Sequence, residues 1–487
     1  MATPVSPSPE VHLRGMDNLF LHIELPPRLM TVSTLWTFDK PLSIVLALQQ
    51  LEKMAELFPR FRQIPVERNS IFHTARWQFV DNWSVSNHIE MATLEEPTHQ
   101  CLQEFVSRKI SIPFNPEQPL WLLYIINGLP NGGSACFWKA HHCMADGQGY
   151  VRALLACTSG SNELDEMIEE AKKKYVEDFR RVPECKEVPI LRHLPPQYQK
   201  RTQPWVRQLF ATLTLILTMM VGYILVLLRN AKLAACMLAP THWRKDFLYE
   251  GPHVFTKSIA WSEDVSMADI AVVRKAFSGT LNDVMCAVIT RCVKSYLDEC
   301  PKGRQDKELW MLIPKSLRSP DDRRFQNVVS GSFVYFPMED MSTKSLIRSI
   351  RQHMQIFKID FIPYLLYILG CIFLLLPAVV PSWIISFQVT KIHGVFTNVP
   401  GPRKAIKFAG QEIKDYRVMP PQNSKGSIGM GLVSYNNKVA LAILGDESAA
   451  YPGAVNEVCR RFKPTFDQML SEAHQALEAK SKKLHEN

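Results

Sequence analysis

The sequence predicts an α/β protein of two lobes, and three observations carry that prediction. Strand-like and helix-like periodicities alternate through residues 13–158 and do so again from residue 252 onward. Between them, residues 159–250 change character, first to a charged, proline-containing stretch and then to an uninterrupted apolar one. Within the first lobe, the alternating run 135–140 ends in His141-His142-Cys143-Met144-Ala145-Asp146-Gly147, a histidine pair with an Asp and a Gly at fixed offsets where a strand meets a turn. A chain of 487 residues is long enough for two cores of ordinary domain size.

In the first lobe, residues 30–38 read as a strand, and 42–58 carry apolar residues at helical spacing. Residues 77–80 and 120–126 read as further strands, the second meeting Asn127-Gly128 at a turn, and 148–157 as a helix just past the motif glycine. The domain division is therefore 1–158, a linker over 159–250, and a second lobe over 251–487. In the second lobe, 254–261 is strand-like and 267–277 and 281–298 are helical, with further strands expected at 310–314, 331–336 and 439–444.

Composition narrows the function classes. The formal net charge is +9, spread over patches such as Lys172–Lys174 and Arg323-Arg324 with no arginine-rich arm, so nucleic acid is not an expected partner. A basic surface with long apolar segments suits an anionic membrane face better. The eleven cysteines form no CxxC pair and follow no secretory leader, which predicts reduced thiols in a cytosol-facing protein.

A histidine at a rigid strand end, with a reference pKa near ~6.5, is largely neutral at cell pH and can take a proton from a hydroxyl. Most histidines are merely packed or solvated, and a metal site is a second plain reading. One short cluster supplies at most three ligands, and neither HExxH nor CxxC completes it elsewhere, so no metal is expected. The full HHxxxDG pattern points instead to acyl transfer.

Further signatures follow in order: Gly15-Met16-Asp17-Asn18-Leu19-Phe20, Pro119-Leu120-Trp121, Leu281-Asn282-Asp283-Val284, Thr397-Asn398-Val399-Pro400-Gly401-Pro402, and Gly429 to Asn436. Together with the histidine motif they resemble the wax ester synthase/diacylglycerol acyltransferase family over about residues 13–466. The resemblance implies two chloramphenicol-acetyltransferase-like lobes with mixed sheets and a channel between them. It implies acyl-CoA as co-substrate, a long-chain alcohol or diacylglycerol as acceptor, and no cofactor.

Acyl transfer needs a base, a stabiliser for the tetrahedral oxyanion, and exclusion of water. His142 is the expected base, with His141 orienting it or lining the channel. Asp146 is expected to be a structural clamp that the resemblance pairs with an Arg, and Gly147 to leave room a side chain would block. The resemblance places Asn282 and Asp283 near the channel; the plainer reading has Asn282 N-capping its helix with Asp283 in the first turn. Trp121 should support the histidine strand, and Thr397 and Asn398 should shape a tight turn at the lobe interface. Ser330, Ser332 and Thr397 are unranked candidates for the oxyanion donor. Cys143 as a nucleophile is disfavoured, because adjacent side chains at a turn rarely meet. Two alternatives stay open: an acyltransferase for a secondary-metabolite hydroxyl, and a non-catalytic lipid-binding protein of the same fold.

Two apolar segments set the topology. Residues 208–228 are uncharged between Arg207 and Arg229, and 361–390 are uncharged but hold Pro363, Pro377 and Pro381. The first is long enough to cross a bilayer at about 1.5 Å per residue. One crossing would put His142 and Asn282 on opposite sides of the membrane. Both segments should therefore dip into one leaflet, the first either broken at Gly222 or lying in the interface plane, with both lobes facing the cytosol at the endoplasmic reticulum or a lipid-droplet surface.

Overall fold

The computed structural model describes residues 11–13, 15–26, 28–68, 74–161, 204–238, 244–247, 255–319, 324–373, 389–422, 427–448 and 450–485, with isolated positions 166, 169 and 322. Among these, two mixed sheets form the two expected lobes. The first sheet has strand order Asp415–Met419, Thr31–Phe38, Ser134–His141, Trp121–Asn127, Ile89–Thr93, antiparallel except for its last pair. The second runs Val329–Pro337, Glu308–Ser316, Gly394–Pro400, Ile428–Tyr435, Lys438–Gly445, Ser258–Trp261, with parallel pairing on both sides of the Gly394–Pro400 strand.

The Asp415–Met419 strand lies within the second lobe's sequence, between Gly394–Pro400 and Ile428–Tyr435, yet it completes the first sheet along Thr31–Phe38. At Val418 it passes directly against the second sheet, where an added Cβ on Gly431 would sit 2.0 Å from the Val418 carbonyl oxygen. Only glycine permits that approach. The two sheets are thus latched together by one short excursion of the chain.

Local chemistry accounts for most boundaries. Ser43, Thr98, Asp146, Ser266, Thr280 and Ser342 each N-cap a helix by accepting a backbone N–H. The expected strands and helices of both lobes are present, and the helix Met267–Phe277 has the expected bounds. Several elements go beyond expectation, among them the helices Met16–His22 and His99–Ile110 and the strands Ile89–Thr93, Asp415–Met419 and Ile428–Tyr435. Residues 397–400 are not a turn but the end of the central Gly394–Pro400 strand, because the prolines fall where the strand stops. The amphipathic helix Thr343–Ile359 and the long helix Ala454–His485, which keeps Pro464 in its interior, are additional.

The apolar stretch 208–228 lies in one helix, Pro204–Leu238, which runs without a break through Gly222, so the expected break at that glycine is absent. Among the described residues no helix is long and apolar enough to cross a membrane. Leu213, Leu217, Met220, Ile224, Leu227 and Leu228 are exposed on this helix. Its C-terminal part is fixed to the second lobe. Arg229 is buried, donating from Nη1 to Asp360 Oδ2 at 2.6 Å and from Nη2 to Ser332 Oγ at 3.2 Å. Arg229 is therefore an anchor inside the protein rather than the charged flank of a membrane segment. Leu233 packs with Trp310 and Ile392 in a small separate core. The second apolar stretch leaves Asp360 as the helix Ile362–Phe373, with Pro363 in its first turn, where a missing N–H costs nothing. Pro377 and Pro381 lie outside the described residues, as does nearly all of the 159–200 linker.

Breaking a buried ion pair from one side leaves an uncompensated charge, typically worth about 3–5 kcal/mol. Asp360→Ala should lower the thermal unfolding midpoint clearly, whereas Arg229→Met combined with Asp360→Leu should recover most of the loss. Equal destabilisation by the single and double variants would show that the pair does not hold the apolar helix.

Candidate active site

His141 closes the Ser134–His141 strand and His142 is the first residue beyond it. The strand end is pinned on both sides: His142 N–H donates to Met30 O at 2.7 Å, and His141 N–H to Leu120 O at 2.9 Å. The two imidazoles consequently face different surroundings. His141 is buried; its Nδ1 accepts the Cys143 backbone N–H at 3.0 Å, and its Nε2 lies 3.0 Å from Glu24 Oε2. With both nitrogens engaged, it serves to hold the turn. Tyr150 adds to this by donating its hydroxyl to the His141 carbonyl at 2.8 Å.

His142 instead lines a cavity of about 490 Å³ between the lobes. Its ring lies 4.0 Å from that of Phe20, and its Nδ1 faces Asn327 Oδ1 at 3.0 Å. Burial among apolar groups disfavours the charged ring and pushes the His142 pKa below the usual histidine value. The ring is neutral at cell pH, the state a proton acceptor requires. The cavity walls are largely apolar, with Val32, Trp138 and Ala140 from the first lobe and Leu312, Val395 and Val399 from the second. Its size falls in the range of small-molecule sites.

Asp146 does two things at once. Its Oδ1 accepts the Gly149 N–H at 2.8 Å, capping the helix Gly147–Ala156, and its Oδ2 accepts the Val328 N–H at 2.9 Å. Arg318 spans the same carboxylate, with Nε on Oδ2 and Nη2 on Oδ1, each at 3.2 Å. Asp146 thus ties the histidine turn to the 316–328 segment of the other lobe. Asn327, adjacent to Val328, is joined in turn to Asp17, which pairs with Arg60 at 2.7 Å. Asp17 belongs to the Gly15–Phe20 signature, but Arg318, Asn327, Arg60 and Glu24 carry no local motif that singles them out.

The other expected residues divide. Thr397 and Ser330 line the cavity, while Ser332 is committed to Arg229, leaving two of the three hydroxyl candidates in place. Trp121 is wholly buried beneath the histidine strand, stacked on His88 at 4.4 Å and on Trp138 at 5.9 Å, with its indole N–H on Phe61 O. Asn282, Asp283 and Asn398 are not among the cavity-lining residues. Thr280, not Asn282, caps the Leu281–Glu299 helix, and Asp283 completes a capping box by accepting the Thr280 N–H at 2.8 Å. Asn282 accepts from the Asn398 amide across the lobe. Cys143 is buried and off the cavity. Among the described residues no group of three or more His, Cys, Asp or Glu side chains could hold a metal ion.

Gly147 does not need to be glycine for space, since an added Cβ would meet only Val399 Cγ2 at 3.8 Å. Two residues on, an added Cβ at Gly149 would approach Ala145 Cβ to 2.9 Å and Arg318 Nη2 to 3.4 Å. The steric constraint expected at Gly147 sits at Gly149.

Residues 13–285 match the family model of the wax ester synthase/diacylglycerol acyltransferase catalytic domain, and residues 325–478 that of the WS/DGAT C-terminal domain. A protein of Mycobacterium tuberculosis named a probable diacylglycerol O-acyltransferase is similar at 24% identity over 318 residues, 63% of this chain and 64% of that protein, so the match spans just under two thirds of its length. Wax ester synthase/diacylglycerol acyltransferase 7 of Arabidopsis thaliana is 23% identical over 326 residues, 64% of this chain and 62% of that one. The solved wax ester synthase/diacylglycerol acyltransferase of Marinobacter aquaeolei has a TM-score of 0.60 at 18% identity, covering 96% of this chain and 99% of that chain. The starter condensation domain of rhizomide synthetase in complex with C8-CoA reaches 0.54 at 13% identity, over 96% and 95% of the two chains. These structures share the two-lobe fold with mixed sheets.

Overpacking a tight site typically costs about 1–3 kcal/mol. Gly149→Ala should therefore lower the melting temperature while Gly147→Ala leaves it within a degree or two. The reverse order in calorimetry would overturn the steric assignment.

Proposed function

Because the chain belongs to the wax ester synthase/diacylglycerol acyltransferase family, we propose that it transfers a fatty acyl group from acyl-CoA to the hydroxyl of a diacylglycerol or a long-chain alcohol, forming triacylglycerol or wax ester. The observation that carries this reading is a neutral His142 on the wall of an apolar cavity shared by both lobes. The acceptor alcohol gives its proton to the His142 ring as its oxygen attacks the thioester carbon. The tetrahedral oxyanion collapses, the C–S bond breaks, and the ring returns the proton to the departing thiolate. The base ends as it began, and no acyl-enzyme forms. Ser330 and Thr397, which line the cavity, are the candidate hydroxyl donors to the oxyanion. The apolar walls accept the acyl chain and exclude water, which would otherwise compete as acceptor. The C8-CoA bound to the rhizomide condensation domain supports an acyl-CoA donor on this fold.

His142→Ala should fold normally and lose turnover by about 10²–10⁴-fold, the usual contribution of a general base. A base whose pKa is depressed stays unprotonated to lower pH, so the acidic limb of kcat/KM should fall below the ~6.5 of an ordinary histidine. Full activity of a folded His142→Ala protein in an assay with labelled acyl-CoA and a panel of alcohols and diacylglycerols would refute the mechanism.

We further propose that the exposed apolar sides of the Pro204–Leu238 and Ile362–Phe373 helices lie in the plane of one membrane leaflet, with both lobes on the cytosolic side of the endoplasmic reticulum or a lipid droplet. Leu217 and Leu228 on the first helix are 60% and 63% exposed, and Tyr364, Leu365 and Ile368 are exposed on the second. Gly222 lies against Ile359, the last residue of the Thr343–Ile359 helix, and both apolar helices are tied to Asp360 just beyond it. Protease should reach tags at both chain ends in sealed microsomes; protection of one end alone would contradict a monotopic arrangement.

A further inference from the structure

The contact between His142 Nδ1 and Asn327 Oδ1 carries more information than its 3.0 Å length. A ring nitrogen beside a side-chain amide is a donor or an acceptor according to which way the amide is turned. Here the far end of the amide fixes that. Asn327 Nδ2 donates to Asp17 Oδ1 at 2.8 Å and to the His142 backbone carbonyl at 2.7 Å. The Asn327 backbone N–H donates to the same Asp17 oxygen at 2.8 Å. Turning the amide over would set its oxygen against a carboxylate and a carbonyl, with both bonds lost in a buried place. Asp17 is itself held by Arg60, whose Nη2 reaches its Oδ2 at 2.7 Å while Nη1 donates to Met144 O at 2.5 Å. The amide oxygen therefore faces the ring, and Nδ1 must carry the hydrogen.

We propose that Asn327 is a positioning residue that holds His142 in its Nδ1–H tautomer, leaving the lone pair at Nε2 as the acceptor of the alcohol proton. The Asp17–Arg60 pair aims the amide. The inference rests on the reading of His142 as general base and adds to it the atom and the device. The proton moves from the alcohol oxygen to Nε2, the charge on the ring is shared through Nδ1–H with Asn327 Oδ1, and the Nε2 proton leaves on the CoA sulfur as the C–S bond breaks. Nε2 has no hydrogen-bond partner among the described residues, as this requires. Because Asn327 stands 185 residues beyond His142, on the segment that Asp146 clamps, the second lobe sets the tautomer of a base carried by the first.

The test is the pH dependence of kcat and kcat/KM, measured on the full chain with a long-chain acyl-CoA and a long-chain alcohol, alongside thermal unfolding. Asn327→Leu removes the acceptor and should lower kcat by about 10²-fold or more with little change in KM, as expected when a catalytic histidine loses its tautomer. The combined exchange Asp17→Asn with Asn327→Asp puts a carboxylate against Nδ1–H and an amide donor at position 17 to face it, at the loss of the bond to the His142 carbonyl. It should recover much of the lost activity with its acidic limb moved to higher pH, because the carboxylate stabilises the imidazolium. A merely structural residue would not move that limb. If Asn327→Leu fails to fold, the combined exchange decides alone. Wild-type kcat in folded Asn327→Leu, or an unmoved limb in the folded exchange, would overturn the proposal. His142→Ala keeps the two readings apart: an active His142→Ala enzyme removes the base itself, whereas an inactive one beside unaffected Asn327 variants removes only the role of the amide.

Discussion

The carboxylate of Asp146 joins the histidine turn of the first lobe to the 316–328 segment of the second. One oxygen caps the helix that starts after the histidine turn; the other accepts the backbone N–H of Val328, and Arg318 closes over both. Burying these two charges carries a desolvation cost that only a full set of hydrogen bonds offsets. That set is present, since Arg318 also donates to the carbonyls of Arg324 and Gln326. The consequence is geometric. With Val328 fixed, the preceding Asn327 has little freedom, and the distance from its amide to the His142 ring is settled by a clamp one peptide unit away. Removing the carboxylate would loosen the turn and the facing lobe at once.

How much of this could be read from the sequence depended on how local each cause was. His142, Asp146 and the helix after them lie within one turn of chain, so their spacing alone pointed to a site. The cap of the Leu281–Glu299 helix was equally local, but the sequence reading set it at Asn282, inside the motif associated with the channel, two residues past its true position. Thr280 takes the cap position two residues before Asn282, which leaves Asn282 to bond Asn398 instead. Asn327 was out of reach, because its partners Asp17 and His142 are 310 and 185 residues distant. Prolines misled at one place: those around residue 400 suggested a turn where a central strand ends.

Arg229 makes a related point about apolar segments. In the sequence it looked like the charged boundary of a lipid-facing stretch. In the fold it is buried against Asp360, Ser332 and the Phe333 carbonyl, at the foot of the second sheet. Asp360 also accepts from Asn230 and from the Ile362 N–H, the first turn of the second apolar helix. A single carboxylate therefore fixes where both apolar segments leave the protein. Segments more than a hundred residues apart in sequence are thereby attached at one point, without appeal to the bilayer.

The strand Asp415–Met419 has a bearing on how the molecule is made. Thr34 donates to the Arg417 carbonyl across 383 residues of sequence, one of the contacts that complete the first sheet. During synthesis the strand Thr31–Phe38 must wait with one edge unpaired until nearly the whole polypeptide has left the ribosome. Pairing over such a separation is slow, and an open edge is prone to pair with other chains meanwhile. The same excursion that latches the finished lobes leaves the first lobe's sheet one strand short until residues 415–419 have been made.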